Sequence, residues 1–386
     1  MLRSFALALL LASGAAAAQN TAPADPVPAG TSDVAPPADA PADTSAAPDA
    51  AAAATNPPPV PEADPSAKPN GPSPEQQRFE QYRRDLINLL ALRAEGDLLT
   101  AAAELAYPDG EDKARAASLK SPALIKRAQK YSPDDALVWW ISTFLCSPTP
   151  GACQGEAATH LQQAAADNAA AWLPALHAAK DPGQARALLA SMAQARRCDD
   201  FWAGGVLAVY RALQTLPVPA EVLAHGLNTT AARVNLATGV GGGFLPNYAR
   251  LGEMCRNAES ADQALTADCL AVARLLESGG SFRTQTIGFG IEDSLLPAGT
   301  ARDVLRARQR SSIWQKQQFL ELSARFPRDE ALAQAYMDLL HEHGNELTTV
   351  TALLRTQHVP TDPPPGWQPP QSNPTAPADA VPAPSH

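Results

Sequence analysis

Aromatic residues make up only 5% of the 386 residues and charged residues 18%, and the five cysteines include no Cys-x-x-Cys pair. Zinc sites of the finger and ribbon kind need such pairs, so their absence removes that class, and no other feature calls for a metal or a cofactor. His341, Glu342 and His343 begin like a zinc-protease motif, but position 345 is Asn where the second ligand would stand. No serine lies in a Gly-x-Ser-x-Gly elbow or three residues before a lysine, so the common serine-hydrolase patterns are missing. Beyond the first residues, no run approaches the roughly 18 apolar residues that a membrane-spanning helix requires. Basic residues are short as well, 30 against 40 acids for a net charge of -10, which excludes nucleic acid as an expected partner.

What the chain has in excess is proline, unevenly placed. Of 37 prolines, 15 fall in residues 20–75 and 10 in 358–386, leaving 12 for the 282 residues from 76 to 357. The acids follow the same division: residues 19–75 carry eight of them against Lys68, whereas the middle is nearly neutral. Segments of Ala, Pro, Asp, Thr and Ser bury too little to offset their ordering entropy, so 19–74 reads as a disordered acidic linker and 358–386 as a disordered tail. Trp367, inside Pro-Pro-Pro-Gly-Trp-Gln-Pro-Pro, is the one tail residue suited to anchor a contact. Residues 1–18 show Arg3, an apolar run from Phe5 to Ala12 and a string of alanines, the order of a secretory signal peptide with cleavage after Ala18. The expectation is an exported, periplasmic or secreted protein without a transmembrane segment in its mature chain.

Residues 75–357 read as all-α. Ser73-Pro74-Glu75-Gln76, Ser132-Pro133-Asp134-Asp135 and Asp181-Pro182-Gly183-Gln184 each supply a capping side chain and a proline at a helix start. Apolar residues then follow at helical spacing, as in Phe79, Tyr82, Leu86, Leu89 and Leu90, or Leu137, Trp140, Ile141 and Phe144. Thr284 to Ile291 is the nearest approach to a strand pattern. Gly239, Gly241, Gly242 and Gly243 follow a helical run rather than a strand, so they predict a helix exit or hinge, a point where the body could divide into two subdomains, and not a phosphate cradle.

A repeat is visible within this body. Pro133-Asp134-Asp135-Ala136 leading to Trp139 is answered 33 residues later by Ala166-Asp167-Asn168-Ala169 leading to Trp172, and Pro327 to Tyr336 gives a third echo. Period, cap, alanine and aromatic knob resemble the tetratricopeptide type of helical hairpin. The usual first-helix glycine is absent, and Pro174 falls where that helix would continue. The resemblance implies stacked helical hairpins, TPR-like or an irregular superhelix, of the sort that presents a face to another protein.

In an oxidising compartment the cysteine spacing favours two clasps, Cys146 with Cys153 across Ser-Pro-Thr-Pro-Gly-Ala, and Cys255 with Cys269 across a short connection. Cys198 is left over beside Asp199 and Asp200, which should raise its thiol pKa and blunt its reactivity. His341 and His343 read as last-turn residues of a helix that stops at Gly344, where the dipole favours them. Arg302, Arg306 and Arg310 recur at one-turn spacing with Trp314 nearby, a candidate binding stripe for an acidic partner or anionic polymer. These features predict a helical interaction protein with an envelope protein as partner. The alternative is an envelope hydrolase built on a scattered acid pair, or on His341 and His343 with a third ligand.

Overall fold

The computed structural model describes residues 73–107, 120–146, 153–220, 223, 227–256, 258 and 262–370. The signal segment, nearly all of the 19–74 linker and residues 371–386 lie outside the described residues. Fifteen α-helices occur among those described: α1 (Pro74–Leu90), α2 (Gly96–Leu105), α3 (Lys120–Tyr131), α4 (Ala136–Leu145), α5 (Gln154–Ala164), α6 (Leu173–Ala178), α7 (Pro182–Ala193) and α8 (Trp202–Leu213), followed by α9 (Thr229–Gly241), α10 (Ala249–Arg256), α11 (Gln263–Glu277), α12 (Phe282–Leu295), α13 (Thr300–Ser323), α14 (Glu330–His343) and α15 (Glu346–Thr356). Short 3-10 turns precede α6 and follow α9. The fold is all-α: among the described residues, strand-like pairing is limited to one isolated bridge between Asn168 and Arg197. Thr284 to Ile291 lies inside α12, which Ser281 starts by accepting the Thr284 amide hydrogen.

The helix starts follow local chemistry. Ser73 and Gln76 form the reciprocal capping box at α1, and Asp181 caps α7 through the Gln184 amide at 2.7 Å. At α4 the cap is Asp135, not Ser132, because its carboxylate accepts the Leu137 amide at 2.9 Å and delays the helix to Ala136. His341 and His343 fall in the last turn of α14, which ends at Gly344 with φ 67°.

Consecutive helices pack as pairs, most extensively α11 with α12, then α2 with α3, α8 with α9, α4 with α5 and α14 with α15. Long-range packing closes the assembly: α8 returns to α2, α7 lies on α11, α9 meets α14, and α13 lies across α12 and α15. One cluster of buried side chains runs from Tyr82 to Leu354 without a break. The glycine run 239–243 is therefore not a divide between subdomains. A Cβ on Gly241 would stand 2.9 Å from the Val206 side chain and 3.3 Å from the Val206 backbone nitrogen, so glycine is what lets α9 and α8 touch. Phe244 beyond it is buried, and its carbonyl accepts the Trp140 indole N–H at 3.0 Å. Closer still are α11 and α12, where a Cβ on Gly288 would meet the Ala273 carbonyl oxygen at 2.6 Å.

The 33-residue echo has a local structural counterpart. Trp139 donates its indole N–H to the Pro133 carbonyl and Trp172 donates to the Ala166 carbonyl, six residues back in each case. Asp135 and Asn168 each cap the amide two residues on. After Trp139 a full helix continues, whereas Trp172 ends a 3-10 turn and Pro174 opens the short α6. The cap and indole unit repeats; the helical hairpin around it does not.

Both cysteine pairs are at disulfide distance, with Cα separations of 6.0 Å for Cys146–Cys153 and 5.6 Å for Cys255–Cys269. The first ties the end of α4 to the start of α5, the second α10 to α11. By loop-closure entropy they contribute about 2 and 3 kcal/mol respectively.

Candidate functional site

Helix α13 carries the predicted stripe. It starts after Gly299, whose φ of 132° no other residue adopts comfortably, and Leu305, Phe319 and Leu322 are its buried side chains. Spacing of four places Arg302, Arg306, Arg310 and Trp314 in one row along the helix. Their environments differ sharply. Arg302 turns back to donate to the carbonyls of Asp293 and Leu296, and its guanidinium lies 3.5 Å from the Asp293 carboxylate. It caps the end of α12 and is not available to a ligand. Arg306 and Arg310 are exposed and make no ion pair or hydrogen bond among the described residues.

The fourth member is covered, and by a segment expected to be tail. The ordered chain does not stop at 357: residues 358–370 cross α13. Val359 donates its amide to Leu354 O at 2.8 Å. Trp314 donates its indole N–H to the Pro360 carbonyl at 2.9 Å, and the Gln315 amide donates to the Thr361 carbonyl at 3.1 Å. Pro364 and Trp367 close a turn through a 3.1 Å hydrogen bond, with Gly366 at φ 80° in its third position, the geometry of a type II turn. That turn sets Trp367 edge-on to Trp314, with ring centroids 5.3 Å apart at 77°. Pro-Pro-Gly-Trp was a readable turn signal; composition alone hid it.

Sequence spacing also missed Arg308, which is off the stripe yet is the arginine most engaged. It bridges the carboxylates of Glu277 and Glu292, at 2.7 Å from the latter, and Arg274 approaches Glu292 at 3.4 Å. Glu277 and Glu292 are 6% and 2% exposed. Burial and then the adjoining Glu292 push the Glu277 carboxyl up; Glu292 is buried too, but the neighbouring Glu277 carboxyl and the Arg308 guanidinium hold it low. The cluster stitches α11, α12 and α13 together around buried carboxylates.

A second buried network surrounds Asp200, which is 1% exposed. One carboxylate oxygen accepts the Trp202 amide at 3.2 Å, starting α8. The other accepts the Ser281 hydroxyl and, at 2.6 Å, the Thr284 hydroxyl, which in turn meets the Tyr248 hydroxyl at 2.7 Å. Asp199 accepts the Phe201 amide at 2.9 Å and Phe201 takes a left-handed φ of 60°, its ring stacked on Trp140. Close approach of the 279–280 turn needs glycine, since a Cβ on Gly280 would lie 2.6 Å from the Asp200 carboxylate. Cys198 is buried here. Burial first, and Asp200 and Asp199 after it, push its thiol far up. Glu346 receives the Phe282 amide at 2.9 Å, and burial pushes its carboxyl up to about 7. Asp200, Ser281, Thr284, Tyr248 and Cys198 are buried, whereas Asp199 and Glu346 are half-buried.

Glu104 is the most isolated acid. It is 2% exposed on α2, neither carboxyl oxygen has a hydrogen-bond partner, and burial raises its pKa well above the ordinary value. No group of three or more His, Cys, Asp or Glu side chains among the described residues is arranged to hold a metal. No described helix is long and apolar enough to cross a membrane.

No known protein-family model matches the chain, and no curated protein or solved structure is significantly similar to it.

Proposed function

We propose that this chain is an exported α-helical interaction protein of the cell envelope, and that the ridge of α13 is the face it offers to a partner. The observation that carries the reading is the division of labour among the arginines. Arg302 and Arg308 are consumed by helix capping and by buried acids, while Arg306 and Arg310 stand exposed and unpaired one helical turn apart. Two free guanidiniums at that spacing suit carboxylates on an acidic partner and would steer its approach. Two cysteine clasps support a location outside the reducing cytoplasm, and the signal-like first 18 residues support export.

The test places a photo-crosslinking residue at 306 or 310 in the full chain, with position 126 on α3, also exposed, as control. Crosslinks to an envelope protein should form from 306 and 310 but not from 126, and Arg310→Glu should abolish those from 306, as Arg306→Glu should those from 310. Equal crosslinking from all three positions, or indifference to charge reversal, refutes the reading. Mass spectrometry of the envelope fraction should find the mature chain beginning at Gln19.

A further inference from the structure

The segment lying on α13 shows what chemistry this face reads. From Val359 to Pro370 the strap has neither helix nor sheet, and prolines at 360, 363, 364, 365, 369 and 370 fix its φ angles near the extended polyproline range. Its contacts with α13 are of two kinds. The first is main-chain recognition: the Trp314 indole N–H and the Gln315 side-chain amide donate to two successive carbonyl oxygens, of Pro360 and Thr361. Proline has no N–H to donate and its carbonyl still accepts, so a donor-lined surface matches the acceptors that a proline-rich chain presents. The second is one aromatic anchor, Trp367, delivered onto Trp314 by the Pro364–Trp367 turn. Gln315 is itself steadied from α15, where the Thr351 hydroxyl lies 3.5 Å from its carbonyl oxygen. An indole and an adjacent amide that hydrogen-bond successive carbonyls, with an aromatic face for a further side chain, constitute a reader of extended proline-rich peptides.

We propose that the Trp314–Gln315 corner of α13 is a docking site for a proline-rich segment of a partner protein, and that residues 359–370 are its resident occupant, displaced when the partner binds. The proposal rests on the interaction-protein reading above and names the partner's chemistry. Nothing in the two main-chain contacts is particular to this chain's own sequence, so a segment with prolines at matching places and an aromatic residue some six or seven positions downstream meets the same requirements. The strap is held by tethering as much as by contacts. A segment joined directly to α15 has an effective concentration on the order of millimolar, so a partner must bind more tightly, or carry a second point of attachment, to displace it. Arg306 and Arg310, on the same row as Trp314, provide that second point for a partner whose proline-rich segment is flanked by acids.

The experiment uses the full chain and a version in which residues 360–370 are replaced by Gly and Ser at equal length, each mixed with a fluorescent peptide of residues 358–370. Anisotropy should show saturable binding to the strap-replaced chain and at least about ten-fold weaker binding to the unaltered chain, the factor set by internal competition. In the strap-replaced background Trp314→Ala should abolish binding. Trp314→Phe, which keeps a ring but loses the indole N–H, should weaken it, with unchanged helical circular dichroism in both. A peptide of residues 56–69, rich in proline but without an aromatic residue, should bind more weakly than the strap peptide. No binding to the strap-replaced chain at millimolar peptide, or equal binding after Trp314→Ala, overturns the proposal. So does a concentration-dependent dimer of the unaltered chain that disappears on strap replacement, which would assign the face to exchange between copies. Crosslinks from 306 and 310 that persist while the peptide fails to bind would leave the interaction-protein reading standing and remove only this one.

Discussion

Replacing Glu104 by Met should stabilise this protein, and increasingly so as the pH rises. The carboxyl is sealed between α2 and α8, where a Cβ on Gly205 would already sit 3.3 Å from one of its oxygens, and it has no hydrogen-bond partner. Met has nearly the same length and no polar group to leave unsatisfied. Removing the unpaired carboxyl is worth about 1–3 kcal/mol at any pH. A second contribution depends on protonation. The folded pKa is raised, so the folded chain keeps the proton while the unfolded chain loses it above about pH 4.3. Wild-type stability on this account is fully present below that pH and falls as the pH rises, by about 1.4 kcal/mol per pH unit, until the folded carboxyl itself ionises. Denaturant titrations of the oxidised wild-type and Glu104→Met proteins at pH 4, 5.5 and 7 should therefore give a difference of a few kcal/mol at pH 4 or less, widening steadily to pH 7. Glu277 and Glu346 lose stability in the same direction, but both proteins contain them and they cancel in the difference. A constant difference across the range, or a destabilised variant at pH 7, would mean that the carboxyl has a partner and the reasoning is wrong.

Three further outcomes follow from the packing. Gly288→Ala should cost about 1–3 kcal/mol, because its methyl would press on the Ala273 carbonyl and the Glu277 backbone and push α11 off α12; thermal unfolding monitored by circular dichroism reads this directly. Arg308→Met should cost on the order of 3–5 kcal/mol at neutral pH, since it strips two buried acids of their bridging cation; adding Glu277→Gln should recover part of the loss. Substituting Ser for Cys146 and Cys153 should lower stability by about 2 kcal/mol and for Cys255 and Cys269 by about 3, with the free thiol of Cys198 unreactive to thiol reagents until the protein unfolds.

Local chemistry was enough to read the all-α class, the caps at Ser73 and Asp181, the end of α14 at Gly344, and the two cysteine pairs. Each depends on residues a few positions apart, whose mutual geometry a helix or short loop dictates in advance. The same reasoning placed Arg302, Arg306, Arg310 and Trp314 in one row and rightly so, because a spacing of four lies on one face of any α-helix. It could not say that Arg302 folds back onto α12 or that Trp314 is covered. It treated 358–370 as tail because proline-rich composition offers little to bury, and composition does not count the single indole that meets another across 5.3 Å.

Chain order alone therefore established that the body is helical, where α1 and α7 begin, and which sulfurs lie near enough to join. Only the tertiary structure decided that Arg308 serves two buried acids while Arg306 and Arg310 stay free, that Glu104 is stranded, that Gly241 is a contact point instead of a hinge, and that Gly288 is where α12 meets α11. The physical reason is range. Capping and periodicity act within a turn or two of backbone, whereas desolvation, ion pairing and close approach depend on which helices the whole core brings together.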